Sequence, residues 1–137
     1  MRIRTVALLV ITLALVIAPV NNASAQTKKV NISFRSGTSG GTYSNSLTGY
    51  ATVDFYLKAK DGQTLSARLS SPNTFLYFNV LSGSGDGEAV ADSAREVTKW
   101  SGQLPADGTY VIRVFLVRAE ARRNKHPVTF KVRLDIN

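Results

Sequence analysis

The sequence contains no cysteine, one histidine, one tryptophan and four prolines among 137 residues. Without cysteine the chain forms no disulfide bond, has no catalytic thiol and is not a lipid-anchored lipoprotein. The lone histidine, His126, lies beside Pro127 in a basic segment without a serine nucleophile motif, so a Ser-His-Asp triad is not indicated. No segment carries a 3.6-residue hydrophobic stripe longer than two turns. These absences argue against an enzyme and against a helical fold.

The N-terminus has the features of a secretory signal. Two arginines precede an apolar run at residues 6–20, and Ala23-Ser24-Ala25 follows it with the small-x-small pattern that signal peptidase requires. The alternative, a membrane anchor, is disfavoured because the run is shorter than the roughly 20 residues of a spanning helix. We therefore predict a signal peptide at residues 1–25 and one periplasmic domain at residues 26–137.

The remaining chain is basic. Removing the two signal-peptide arginines leaves 15 basic residues against nine acidic ones, a net charge of +6. In an exported protein this balance favours an acidic partner surface or an anionic envelope polymer. Export argues against nucleic acid as a partner, and no second apolar stretch indicates a membrane partner after cleavage. The oligomeric state does not follow from the sequence.

Alternation of apolar and polar residues with period two runs through most of the domain. It is clearest at residues 128–136, and it recurs at 30–34, 52–59, 65–70 and 110–116. Asp61-Gly62 predicts a hairpin turn between two of these strands. An apolar run at residues 75–81 predicts a central strand. Short strands separated by Gly, Pro and Asp turns predict an all-β fold, either an antiparallel sandwich or a small barrel.

Two glycine-rich segments are predicted to be connections. Residues 37–49 lack the Gly-Lys-Ser/Thr of a phosphate-binding loop, so we interpret them as a flexible connection. Residues 82–94 form a long polar connection that holds Asp86, Glu88 and Asp92. These carboxylates favour a solvated loop over a weak calcium site. We predict no metal and no cofactor.

The basic segment at residues 118–125 is the strongest candidate binding site. It carries four basic residues against one acidic residue, and it joins two clear strands. A single helical turn would place Arg118 and Arg122 on one face, where two guanidinium groups suit a carboxylate-lined cleft. A solvated charged loop is the alternative. Tyr50 has the opposite parity to the inward residues of its strand, which predicts a solvent-facing contact residue or a tyrosine that covers the end of the fold.

Several segments resemble the periplasmic inhibitors of g-type lysozyme. The resemblance extends from about Val30 to the C-terminus, and its most specific parts are Tyr77-Phe78-Asn79 and the Arg-x-x-x-Arg-Arg of residues 118–123. Other matching segments are Trp100-Ser101-Gly102-Gln103-Leu104-Pro105 and Gly108-Thr109-Tyr110-Val111-Ile112-Arg113-Val114. The Gly108-Thr109-Tyr110 motif is also similar to pre-peptidase C-terminal type sandwiches, so it indicates the fold more than the function.

The resemblance implies an eight-stranded antiparallel β-sandwich that blocks the substrate cleft of a g-type lysozyme. The matching contact residues are Tyr50, Arg118 and Arg122, and Arg123 is a weaker candidate. The alternative is a sandwich that binds glycan or peptidoglycan without inhibiting an enzyme. That alternative requires an exposed aromatic platform, for which Tyr56 and Trp100 are the candidates.

Overall fold

The computed structural model describes residues 26–83, 86–90 and 96–137, so the predicted signal peptide lies outside the described residues. The elements in chain order are β1 (Thr27–Asn31), β2 (Gly40–Leu47), β3 (Thr52–Ala59), β4 (Thr64–Ser70), β5 (Leu76–Ser82), β6 (Lys99–Gln103), β7 (Gly108–Leu116), α1 (Arg118–Arg123) and β8 (Val128–Ile136). None of the described helical structure is long and apolar enough to cross a membrane.

The strands form two four-stranded sheets, as predicted for a β-sandwich. The first sheet has the order β1-β3-β7-β5 and the second has the order β2-β8-β4-β6. Neighbouring strands are antiparallel except β1 and β3, which run parallel. The fold class is confirmed, with this one parallel pair as a departure from the expected antiparallel arrangement.

The core lies between the sheets and is built from the apolar positions of the alternating strands. Phe55 of β3 and Phe78 of β5 are fully buried on one side, and Phe130 of β8 is buried on the other. The rings of Phe55 and Phe130 meet edge to face with centroids 6.2 Å apart, which joins the two sheets. Burying a side chain of this size contributes about 1.5–3 kcal/mol.

The predicted hairpin at Asp61-Gly62 is wrong, although the turn itself is present. Gly62 has a φ of 82°, which is the left-handed conformation that the motif favours. However, β3 pairs with strands of the first sheet and β4 with strands of the second. The turn therefore carries the chain across the core instead of pairing the two strands. Alternation identifies the buried face of a strand but not the strand it pairs with.

Two further expectations need correction. Residues 40–47 of the supposed flexible connection form β2, which pairs along its whole length with β8. The predicted central strand is the last strand of its sheet, β5, and its free edge is covered by short contacts instead of a strand. Phe78 bridges to Val97 and Leu81 bridges to Ala89 on that edge. These short pairings take up part of the edge that a neighbouring strand would otherwise occupy.

A buried ion pair joins β3 and β7 on the outer side of the first sheet. Asp54 is fully buried, and Arg113, directly opposite it on β7, donates two hydrogen bonds of 2.8 and 2.7 Å to its carboxylate. These bonds raise the pKa of Arg113 above its ordinary value. Because both oxygens of Asp54 are satisfied, its burial is compatible with a stable sheet.

Candidate functional site

The predicted helical turn is present as α1, which lies between β7 and β8 at one end of the sandwich. The backbone N–H of Ala121 donates to the carbonyl of Val117, and that of Asn124 donates to the carbonyl of Glu120, each over 2.9 Å. A helix of six residues has little stability of its own in water. Tertiary contacts must therefore hold α1 in place.

The inner side of α1 supplies those contacts through Glu120 and Ala121, which are both buried. The Glu120 carboxylate accepts hydrogen bonds from the Asn73 amide at 3.0 Å, the Arg123 guanidinium at 2.5 Å and the Asn124 amide at 3.2 Å. These bonds, led by the one from Asn73, lower the pKa of Glu120. The charged carboxylate thus anchors α1 to the loop before β5.

The outer side of α1 presents Arg118 and Arg122, and both side chains are exposed. Within the described part of the chain, neither arginine has an ion-pair partner. Like charges four residues apart destabilise a helix by about 0.2–0.5 kcal/mol. The pair therefore contributes nothing to the stability of α1 and is available for an acidic partner.

Arg123 differs from the other two arginines because it is engaged within the molecule. Its guanidinium donates to Glu120 and lies 5.4 Å from the ring centroid of Phe75. Both contacts stabilise the local structure. In this geometry Arg123 supports α1 and the ring of Phe75.

Tyr50 lies beside α1, and half of its surface is exposed. The preceding Gly49 has a φ of 59°, and a Cβ built there would lie 3.5 Å from the Ala121 carbonyl oxygen, so this turn packs against the helix. An open depression of about 1000 Å³ is lined by Tyr50, Ala121, Lys125 and Pro127 among others. The structure thus brings Tyr50 and α1 together.

Phe75 is a candidate that the sequence analysis missed, because it is the first residue of the apolar run 75–81 that predicted a central strand. It precedes β5 and has 43% of its surface exposed. Its backbone carbonyl accepts a 3.1 Å hydrogen bond from Val117, directly before α1. Among the described residues, Phe75 and Tyr50 are the two exposed large hydrophobic side chains, and both lie next to α1. The period-two alternation could have identified Phe75, since its position has the opposite parity to those of the inward-facing Leu76 and Phe78.

The aromatic platform of the glycan-binding alternative is not formed by Trp100. That side chain is buried in the core cluster, where it packs over Gly102. Tyr56 is half-buried, with the Lys29 ammonium 5.6 Å from its ring centroid. His126 is exposed, as expected for a loop histidine.

The carboxylates of the 82–94 connection are only partly described. Asp92 lies outside the described residues. Within the described ranges there is no group of three metal-ligating side chains.

Sequence comparison matches the whole chain to one curated protein. The inhibitor of g-type lysozyme of Escherichia coli strain K12 is 32% identical over 138 residues, which cover 99% of this chain and 98% of that protein. This chain belongs to the g-type lysozyme inhibitor family. The relatives are inhibitors of an enzyme and not enzymes themselves. No profile of a known protein family matches the chain.

Solved structures agree with this assignment. The periplasmic g-type lysozyme inhibitor PliG of Aeromonas hydrophila has a TM-score of 0.74 and 31% identity, with 83% of this chain and 100% of that chain covered. The PliG of Salmonella Typhimurium has a TM-score of 0.64 and 26% identity over 80% of this chain and 98% of its own. A pre-peptidase C-terminal domain of a Bacillus anthracis collagenase, at 12% identity, a TM-score of 0.53 and 85% and 100% coverage, shares the fold alone. The resemblance noted in the sequence is confirmed.

Proposed function

We propose that this protein inhibits g-type lysozyme by placing α1 and Tyr50 in the substrate cleft of the enzyme. The proposal rests on the arginine and aromatic side chains that lie together at one end of the sandwich. Two exposed arginines project from a helix that is anchored on its other side, and two exposed aromatic rings lie beside that helix. Aromatic and arginine side chains supply most of the binding energy in protein interfaces.

The chemistry of the cleft complements this surface. Most enzymes that cleave glycosidic bonds use a pair of carboxylic residues, so their clefts are acidic. Guanidinium groups form paired hydrogen bonds with carboxylates and stay charged when water is removed. Arg118 and Arg122 would contact these acidic groups, and Tyr50 would pack beside them. Phe75 would extend the contact next to Arg123, which would hold its ring.

The proposed site of action is the periplasm. The signal peptide predicted at residues 1–25 supports export, and the related PliG proteins of Aeromonas hydrophila and Salmonella Typhimurium are periplasmic inhibitors. Export would place the protein where it meets a lysozyme that attacks the cell wall.

Replacement of both outer arginines tests the proposal. We expect Arg118→Ala/Arg122→Ala to weaken inhibition of g-type lysozyme by about 100-fold or more, because two central charged contacts are lost together. Cell-wall lysis by the enzyme, with the inhibitor titrated in, gives the inhibition constant. The matched control is Lys58→Ala/Lys60→Ala, which removes two exposed charges away from α1.

Two results would overturn the proposal. Undiminished lysis in the presence of excess wild-type protein would remove the inhibitory function. Equal inhibition by wild type and by the double arginine variant would keep the function but place the contact surface elsewhere. Thermal unfolding of each variant shows whether the fold is intact.

A further inference from the structure

A second group of exposed cations lies on the outer face of the sheet β2-β8-β4-β6. We call this group the basic face. It consists of four exposed cations at outward positions of three strands and of one carboxylate beside them. Its members are Arg68, Lys99, Lys131, Arg133 and Asp135. The face is separate from α1 and is not used in the proposed inhibition.

Three of the cations stand in one row across neighbouring strands. Arg133 of β8 is directly opposite Arg68 of β4, and Arg68 is directly opposite Lys99 of β6. Neighbouring strands are about 4.8 Å apart, so these charges are close. Like charges directly opposite each other destabilise a sheet. The row is therefore a concentration of positive charge that an anionic ligand would neutralise.

The single carboxylate of the face, Asp135, is hydrogen-bonded to Arg133 and also interacts with the charge of Arg68, so the four cations and this carboxylate leave a net charge of +3. Arg133 donates three hydrogen bonds of 2.5 to 3.1 Å to Asp135. This pair lies over the backbone of β2, because a Cβ at Gly40 would clash with the Asp135 carboxylate and the Arg133 guanidinium. Among the described residues, Arg68, Lys99 and Lys131 form no ion pair. Three positive charges thus remain for a ligand.

Hydroxyl groups surround the cations. Ser44 and Ser70 are the cross-strand neighbours of Lys131, and Ser66 is 2.8 Å from Ser101 in the row beside Arg68. Shallow depressions lie among these side chains. The two exposed large hydrophobic side chains of the described residues are both at α1 and not on this face. A protein partner or a lipid bilayer would favour an apolar anchor here.

We propose that the basic face binds an anionic polysaccharide, a polymer that offers acidic groups to the cations and hydroxyls to the serines. The row containing Arg133 is five residues along β8 from Val128, where the strand leaves the α1 end, which is about 17 Å. A polymer bound along this row would therefore leave the α1 end open to a lysozyme.

Binding of the purified protein to dextran sulfate, with uncharged dextran as the comparison polymer, tests the proposal at physiological ionic strength. We expect the wild type to bind dextran sulfate and not dextran. Arg68→Ser/Lys99→Ser/Lys131→Ser should raise the Kd about tenfold, because three exposed charge contacts are lost. The control Arg35→Ser/Lys58→Ser/Lys60→Ser has the same net charge, and we expect it to stay within about twofold of the wild type.

The other outcomes each overturn the proposal. Equal loss in the two triple variants would show attraction by net charge alone. Tighter binding to phosphatidylglycerol vesicles or to an acidic protein than to dextran sulfate would assign the face to a different partner. The inhibition assay keeps the two sites distinguishable, because the basic-face variant should inhibit lysozyme like the wild type. Arg118→Ala/Arg122→Ala should likewise keep its binding to dextran sulfate.

Discussion

The core between the sheets and the α1 end of the sandwich are held together by different interactions. In the core, apolar side chains such as Phe55 are buried completely against other apolar groups. At the α1 end, a buried carboxylate and its hydrogen bonds fix a short helix whose outer arginines are exposed. The difference teaches that the buried side chains stabilise the fold, whereas the exposed arginines of the proposed recognition surface add little to stability. Most residues of one set should therefore be replaceable without affecting the role of the other.

The largest expected effect on stability is that of replacing the buried Phe55, which is compared with the replacement of the exposed Phe75. Phe55→Ala should lower the free energy of unfolding by about 3–5 kcal/mol, because it leaves a cavity between the sheets. Phe75→Ala removes the same atoms from an exposed site and should cost less than about 1 kcal/mol. Urea unfolding measures both values. Similar losses for the two variants would contradict the separation of core and recognition surface.

Replacement of Tyr50 tests the proposed recognition surface separately from the stability of the core. We expect Tyr50→Ala to weaken inhibition of g-type lysozyme about tenfold, because a half-exposed ring beside α1 loses its contact area with the enzyme. Its unfolding midpoint should stay near that of the wild type. Tyr50→Phe keeps the ring and should lose much less inhibition. An alanine variant as potent as the wild type would exclude Tyr50 from the contact surface.

The sequence predicted the strands and α1 better than their arrangement in space. Period-two alternation marks a buried face, and the four-residue spacing of Arg118 and Arg122 anticipated their common side of α1. The adjacency of Tyr50 and α1 could not be predicted from this, because the packing of Gly49 against Ala121 joins segments far apart in the chain. Strand partners are likewise set by contacts distant in sequence.

Glycines caused the error at β2. Gly40 and Gly41 suggested a flexible connection, yet both lie in a strand where neighbouring side chains occupy the space of a Cβ. Asp135 lies over Gly40, and the hydroxyl of Tyr43 would be 2.8 Å from a Cβ at Gly41. A glycine that makes room for a neighbour looks the same in the sequence as one that makes a loop flexible.

The smallest expected effect concerns Glu120, which anchors the helix that carries Arg118 and Arg122. Glu120→Gln removes the charge that Arg123 and the two asparagine amides bind, so α1 should be held less firmly at neutral pH. We expect a lower unfolding midpoint and an inhibition constant raised only about threefold, because Arg118 and Arg122 remain but their positions are less fixed. Glu96→Gln, at an exposed glutamate, is the matched control and should behave like the wild type.

Low pH should remove the difference in stability between the wild type and Glu120→Gln. The hydrogen bonds from Asn73 and Arg123 hold the pKa of Glu120 below its ordinary value of 4.5. A lowered pKa in the folded protein gives stability that is present above the unfolded value and lost as the pH falls through the folded value. The gap in unfolding midpoint between wild type and Glu120→Gln should therefore be open at pH 7 and close in acid below that folded value. A gap that stayed constant across this range would show that ionisation of Glu120 is not what anchors α1.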